Sequence, residues 1–194
     1  MSDINKYLIL NEERNAIDYL NHALLFLNEV EKDKISLKWF IIAFHGALYS
    51  FMLLALQGID SEQIYKESIP VLEEKEKTPM EEFELKRILT FKDAYKLLKK
   101  EKNMANIPYN PSGIQDICIT KLNNELRNQM IHFKPMTLGY EAWYPARVCL
   151  PLTEVLKFCI TKTSTAAYEK YGVQKTLNEI KKLLVAHATL TPSV

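Results

Sequence analysis

Three polar side chains that lie close together in the sequence have the types and spacing to act on a phosphate ester. Arg127 and Asn128 are adjacent, and His132 follows four residues after Asn128. Residues four apart on a helix share a face, so the side chains of Asn128 and His132 can contact each other. An arginine can hold a phosphate through several N–H groups, and histidines exchange protons near neutral pH.

These groups suit the cleavage of RNA without a metal ion. The 2′-hydroxyl attacks the adjacent phosphate, one group removes its proton, and another protonates the leaving 5′-oxygen. We predict that His132 transfers protons, that Arg127 stabilises charge on the phosphate, and that Asn128 orients His132 or binds the phosphate. Because each chain offers one suitable histidine in this segment, we expect a homodimer that supplies two copies of His132. The products would be a 2′,3′-cyclic phosphate and a 5′-hydroxyl.

A structural interpretation of the same residues stays open. A histidine at the C-terminal end of a helix stabilises the helix dipole, and an arginine one turn earlier is often a solvated surface residue. Cations and aromatic residues near this segment are also open to two interpretations, since exposed rings can stack on RNA bases or fix a loop onto the core. These candidate RNA-contacting residues are Lys121, Lys134, Tyr140, Trp143, Tyr144 and Arg147.

Composition excludes several other classes of protein. The 194 residues include 25 Lys and Arg and 24 Asp and Glu, so the formal charge of +1 argues against a basic nucleic-acid coat. Five glycines leave little material for a Gly-rich phosphate loop. Cys118, Cys149 and Cys159 form no CxxC pair, and no two histidines are four apart, so we predict neither a metal site nor a cofactor. The N-terminus lacks the basic and then apolar residues of a signal peptide, which predicts a reduced, cytoplasmic protein.

Apolar residues spaced three and four apart predict an all-α chain, with glycines and prolines between the helices. We expect one domain, an antiparallel bundle of five to six helices whose core spans roughly 11–187. Ser36 is expected to cap the second helix and Thr78 the third. Residues 103–113 and 134–151 are expected to be irregular. The predicted helices are 11–32, 36–58, 78–102, 114–133, 152–168 and 174–186.

The fourth predicted helix carries the three polar residues. On a helical wheel, an apolar stripe opposes Lys121, Asn128 and His132. Ile131 lies away from that stripe, which suggests that the outer face is covered. The stripe consists of Ile119, Leu122, Leu126, Met130 and Phe133.

The second predicted helix is uncharged from Trp39 to Leu56. We interpret it as buried inside the bundle, with a membrane span as the alternative. Small residues at Ala43, Gly46, Ala47 and Ser50 would let another helix approach closely. His45, four residues before Tyr49, is expected to be a core histidine bonded to a neighbour, with a supporting role near the polar residues as the alternative.

The run Leu126–Phe133, with Arg127, Asn128 and His132, resembles the signature of HEPN domains: an arginine, a polar residue and a histidine. This resemblance implies a helical, metal-independent endoribonuclease of a toxin or defence system, in which two motifs face each other across a homodimer cleft. It also implies an antitoxin or regulatory partner. The alternative is an inactive HEPN-like module that binds a nucleotide, RNA or protein. Lys134 replaces a tyrosine that partner enzymes modify in some HEPN toxins, so control at that site is not predicted.

Overall fold

Helices make up most of the chain that the structure describes, which confirms the prediction of an all-α bundle. The structure, a computed structural model, describes residues 11–66, 87–132, 139–141, 143–163 and 167–189. Short 3-10 turns lie at Ser61–Ile64 and Glu101–Asn103. The α-helices are α1 (Glu12–Glu29), α2 (Ser36–Gln57), α3 (Phe91–Leu98), α4 (the consecutive segments Gly113–Thr120, Lys121–Arg127 and Asn128–Ile131), α5 (Trp143–Cys149), α6 (Leu152–Lys162) and α7 (Ala167–Ala188).

Helix α2, which carries no charged residue from Trp39 to Gln57, forms the centre of the bundle. It packs against α1 along its length and also contacts α3, α4 and α6. Phe40, Phe44 and Phe51 are almost fully buried, and burying aromatic rings of this size dominates the energy of a core. By length and composition α2 could cross a membrane, but 61% of an apolar 18-residue stretch of this helix is buried inside the molecule. This burial favours the predicted core helix over a membrane span.

At Gly46, α1 and α2 come close together. A Cβ atom at this position would lie 2.6 Å from Cδ1 of Tyr19, well inside van der Waals contact. At Gly46 the small-residue stripe therefore allows α1 to pack onto α2 within one chain.

Replacing Gly46 with alanine is expected to lower the free energy of unfolding by about 1 kcal/mol, because the clash with Tyr19 outweighs the better helix propensity of alanine. Gly172→Ala is the matched control, since nothing lies within 4 Å of a Cβ at this position on α7. It should stabilise the chain by about 0.5–1 kcal/mol. Urea denaturation measures the change in the free energy of unfolding for both variants. In a Tyr19→Ala background, Gly46→Ala should become stabilising; a persistent loss there would contradict the clash.

Several predicted element boundaries are wrong. Ser36 is the first residue of α2 and makes no capping hydrogen bond, whereas Gly58 does end that helix. The third helix begins at Phe91, because the Thr90 hydroxyl caps it by accepting from the Asp93 N–H. Residues 87–89 are extended, with a bridge between Tyr65 and Ile88, and the predicted start at Thr78 lies outside the described residues.

Three further differences concern the C-terminal third. The predicted fifth helix ends early, at Lys162, and α7 continues through Gly172, which was predicted to separate two helices. The segment 134–151 was predicted to be irregular, yet Trp143–Cys149 is the helix α5. Pro145 is compatible with α5 because it lies in the first turn, where its missing N–H is not needed.

Candidate functional site

The middle of α4 is a π-helix rather than an α-helix. Residues Lys121–Arg127 have this wider i→i+5 geometry, which often occurs at functional sites. Leu122 and Leu126 remain fully buried, as predicted, and Asn123 and Arg127 are half-buried. Each residue of the wider turns rotates the chain by a smaller angle than a residue of an α-helix does. The residues after the segment therefore do not face the directions that a helical wheel for a regular α-helix assigns to them.

A cavity of about 810 Å³ lies between α1, α2, residues 88–91 and the C-terminal half of α4. Its polar lining includes Asn123, Arg127 and Asn128 from α4 and His45 from α2. Tyr19 of α1 also lines the cavity. The volume falls in the range of sites for small organic ligands, roughly 300–1,000 Å³.

Arg127 is the one cation among the described residues that line this cavity. Its Nη1 donates a hydrogen bond to Oδ1 of Asn128 at 3.0 Å. Among the described residues, no carboxylate forms an ion pair with Arg127. A half-buried guanidinium without a carboxylate partner retains N–H groups that can bind an anion such as a phosphate.

His45 connects α2 to the π-helical segment of α4. Its Nε2 is 3.1 Å from Oδ1 of Asn123, and its ring stacks on Phe91 with 4.2 Å between the ring centroids. Burial and the positive charge of Arg127 lower the pKa of His45 to about 4, against the opposing effect of the Asn123 hydrogen bond. The histidine is therefore uncharged at neutral pH.

The predicted core histidine is thus confirmed, although its partner comes from a distant part of the sequence. Tyr49, four residues away, instead donates its hydroxyl hydrogen bond to the carbonyl oxygen of Leu89. His45 lines the cavity that contains Arg127, so it belongs to the candidate site. The signal in the sequence was a histidine within the uncharged, apolar stretch Trp39–Leu56, because a histidine buried in such a stretch needs a hydrogen-bond partner.

His132 ends α4 and is exposed to solvent. Its backbone N–H donates to the carbonyl oxygen of Asn128 at 2.9 Å, so the two residues lie one turn apart. His132 does not line the cavity, whereas the neighbouring Ile131 does and is 42% exposed. The structure therefore places Arg127 and Asn128 together in the cavity and His132 on the adjoining surface. The Asn128 side chain bonds to Arg127.

Five of the candidate RNA-contacting residues form one cluster, which we call the aromatic surface. Tyr140 and Tyr144 stack with 6.0 Å between their ring centroids, and Lys121 lies over Tyr144. Arg147 lies over the ring of Trp143 at 4.7 Å. Lys121 is thereby separated from Asn128, with which the helical wheel had grouped it. Lys134 lies outside the described residues.

The polar atoms of the aromatic surface bind to the protein itself. The Tyr144 hydroxyl donates to Glu125 at 2.8 Å, and the Tyr140 hydroxyl donates to Gln129. Burial and then the Glu125 carboxylate raise the pKa of Tyr144 to about 12. These contacts fix Tyr140 and Tyr144 against α4, which favours the interpretation that the rings hold their segment on the core.

Other chemistry has few candidate residues in the described ranges. No group of three or more His, Cys, Asp and Glu side chains is placed there to hold a metal ion. Cys118, Cys149 and Cys159 are free and buried. Burial raises the pKa of the Cys149 and Cys159 thiols, so neither resembles an activated nucleophile.

Comparisons with known proteins add no relative to this description. No family model, curated protein or solved structure matches the chain.

Proposed function

We propose that the chain is a metal-independent endoribonuclease of the HEPN type, acting in a cytoplasmic toxin or defence system. One observation carries the proposal. Arg127, which has no carboxylate partner among the described residues, lies with Asn128 on the wall of an open cavity, and the exposed His132 follows one turn later on the same helix. Phosphate binding and proton transfer are thus available at one end of α4.

In this proposal Arg127 holds the scissile phosphate and stabilises the charge that develops on its oxygens. Asn128 keeps the guanidinium in place through its 3.0 Å hydrogen bond. His132 transfers a proton at the edge of the cavity. The 2′-hydroxyl attacks the phosphorus, the bond to the 5′-oxygen breaks, and the products end in a 2′,3′-cyclic phosphate and a 5′-hydroxyl.

A second copy of the chain supplies the other proton-transferring group. Removal of the 2′-hydroxyl proton needs a base, and protonation of the leaving 5′-oxygen needs an acid. Each motif provides one exposed histidine, His132. Ile131, beside it, is 42% exposed and would be covered by the second copy. We therefore propose a homodimer in which the ends of two α4 helices face each other across the RNA.

Replacing Arg127 with alanine is expected to slow the cleavage of single-stranded RNA by roughly 100- to 1,000-fold, because the phosphate loses its charged hydrogen-bond donor. The assay contains EDTA, follows the substrate on a denaturing gel and identifies the ends of the products. Arg14→Ala is the matched control: Arg14 is an exposed arginine of α1 outside the lining of the cavity. Equal rates for the Arg127→Ala and unmodified chains would contradict the assignment of the site.

The competing function is an inactive HEPN-like module that binds a nucleotide, RNA or protein. It is favoured by one observation, that His132 does not line the cavity in which Arg127 lies. A binding module would gain thermal stability from its ligand without turning RNA over. Cyclic-phosphate products that depend on Arg127 would exclude it.

A further inference from the structure

We propose that the cavity is a base-recognition pocket: it takes the nucleobase next to the phosphate at Arg127, with Tyr19 stacking on the base and His45 and Asn123 contacting its polar edge. This inference rests on the proposed function, which places an RNA phosphate at Arg127. It adds that the enzyme selects its cleavage sites by the identity of one base.

The charge distribution of the cavity fits one phosphate and a neutral group. Among the described lining residues Arg127 is the sole cation, and Glu12 of α1 is an acid. A polyphosphate chain would need several cations, which this lining does not offer. Most of the volume is instead bounded by apolar side chains such as Ile42 and Leu53 and by neutral polar groups.

His45 provides the clearest hydrogen-bonding group for a base. Its Nε2 pairs with Oδ1 of Asn123, whose Nδ2 donates to Asn124 at 2.9 Å, so Nε2 carries the proton. With the ring uncharged, Nδ1 is then an acceptor, and it makes no hydrogen bond to the residues that the structure describes. A nearly buried acceptor of this kind can receive an amino or imino hydrogen from a base.

Helix α1 supplies an aromatic ring to the cavity. Tyr19 lies across Gly46, lines the cavity and is 36% exposed, so its ring is open to a ligand on one side. Nucleobases stack on tyrosine rings in single-stranded RNA sites. Phe91 is not available for this role, because its ring stacks on His45.

The test measures binding of the four 3′-nucleoside monophosphates and of inorganic phosphate to the full chain by isothermal titration calorimetry. At least one nucleotide should bind about tenfold more tightly than phosphate, the increment expected for stacking of one base. Tyr19→Ala and His45→Gln should each remove most of this difference. Tyr171→Ala is the matched control, since Tyr171 is 74% exposed on α7 and lies outside the cavity.

Circular dichroism confirms that each variant is folded before binding is compared. The inference is overturned if all four nucleotides bind no better than phosphate, or if the preferred nucleotide binds equally well to the parent and to folded Tyr19→Ala and His45→Gln. Mapping of RNA ends separates the two proposals. Cleavage without base selectivity retains the ribonuclease and rejects the pocket, whereas Tyr19-dependent nucleotide binding without cleavage retains the pocket and rejects the ribonuclease.

Discussion

Replacing His132 with alanine is expected to slow RNA cleavage by roughly 100- to 10,000-fold, the usual contribution of a positioned proton-transfer group. Folding should hardly change, because His132 is exposed and substitution of such residues alters the free energy of unfolding by less than about 0.5 kcal/mol. A purely structural histidine at the end of α4 predicts the opposite pattern, a small loss of stability and no change in rate. Single-turnover rates and urea denaturation of the same protein samples distinguish the two roles.

The matched control for this experiment is His22→Ala. His22 is also an exposed histidine, so its replacement should leave the core unchanged. Its ring is hydrogen-bonded to the carbonyl oxygen of Asp18 on α1. The control variant should cleave RNA at the parental rate. If His132→Ala cleaves as fast as His22→Ala, proton transfer does not occur at this residue, and the proposed mechanism is wrong.

The free energy of unfolding is expected to fall by about 2 kcal/mol between pH 7 and pH 5 through His45 alone. Folding lowers the pKa of His45 from 6.5 to about 4, mainly through burial. Between these values the unfolded chain binds a proton that the folded chain does not. The contribution to stability is therefore complete above pH 6.5 and is lost as the pH falls toward 4.

Urea denaturation at pH 7 and pH 5 measures this effect when the parent is compared with His45→Gln. Glutamine retains an amide N–H that can donate to Asn123 but does not titrate, so the variant should lose about 2 kcal/mol less than the parent over the same interval. The other titratable groups are common to both chains, and their contributions cancel in the comparison. Identical losses would show that His45 is protonated as readily in the folded chain as in the unfolded one.

Local sequence signals were sufficient to predict most of the helices. Asn11 caps α1 by accepting a hydrogen bond from the Arg14 N–H, and α4 begins with a capping box of Ser112 and Gln115 close to the predicted start. These signals act within a few residues and need no tertiary contact. The same reasoning failed at Pro145, because a proline is tolerated in the first turn of a helix, and at Gly172, because packing of α7 on the bundle outweighs the modest cost of a helical glycine.

The candidate site was only partly accessible from the sequence. The adjacency of Arg127 and Asn128 is local and could be recognised as a motif. The π-helical segment could not, since the apolar positions Leu122 and Leu126 are compatible with either kind of helix. The pairing of His45 with Asn123 joins residues 78 positions apart, so it depends on how α2 and α4 pack.

The π-helical segment also affects how this protein can evolve. A π turn holds one residue more than an α turn, so the segment Lys121–Arg127 is equivalent to a one-residue insertion in a regular helix. Because the wider turns absorb that residue locally, loss of a single codon here would restore an α-helix and leave the residues on either side in nearly the same orientation about the axis. The segment is therefore a place where the chain can change its length by one residue and keep the packing of α4 on the bundle.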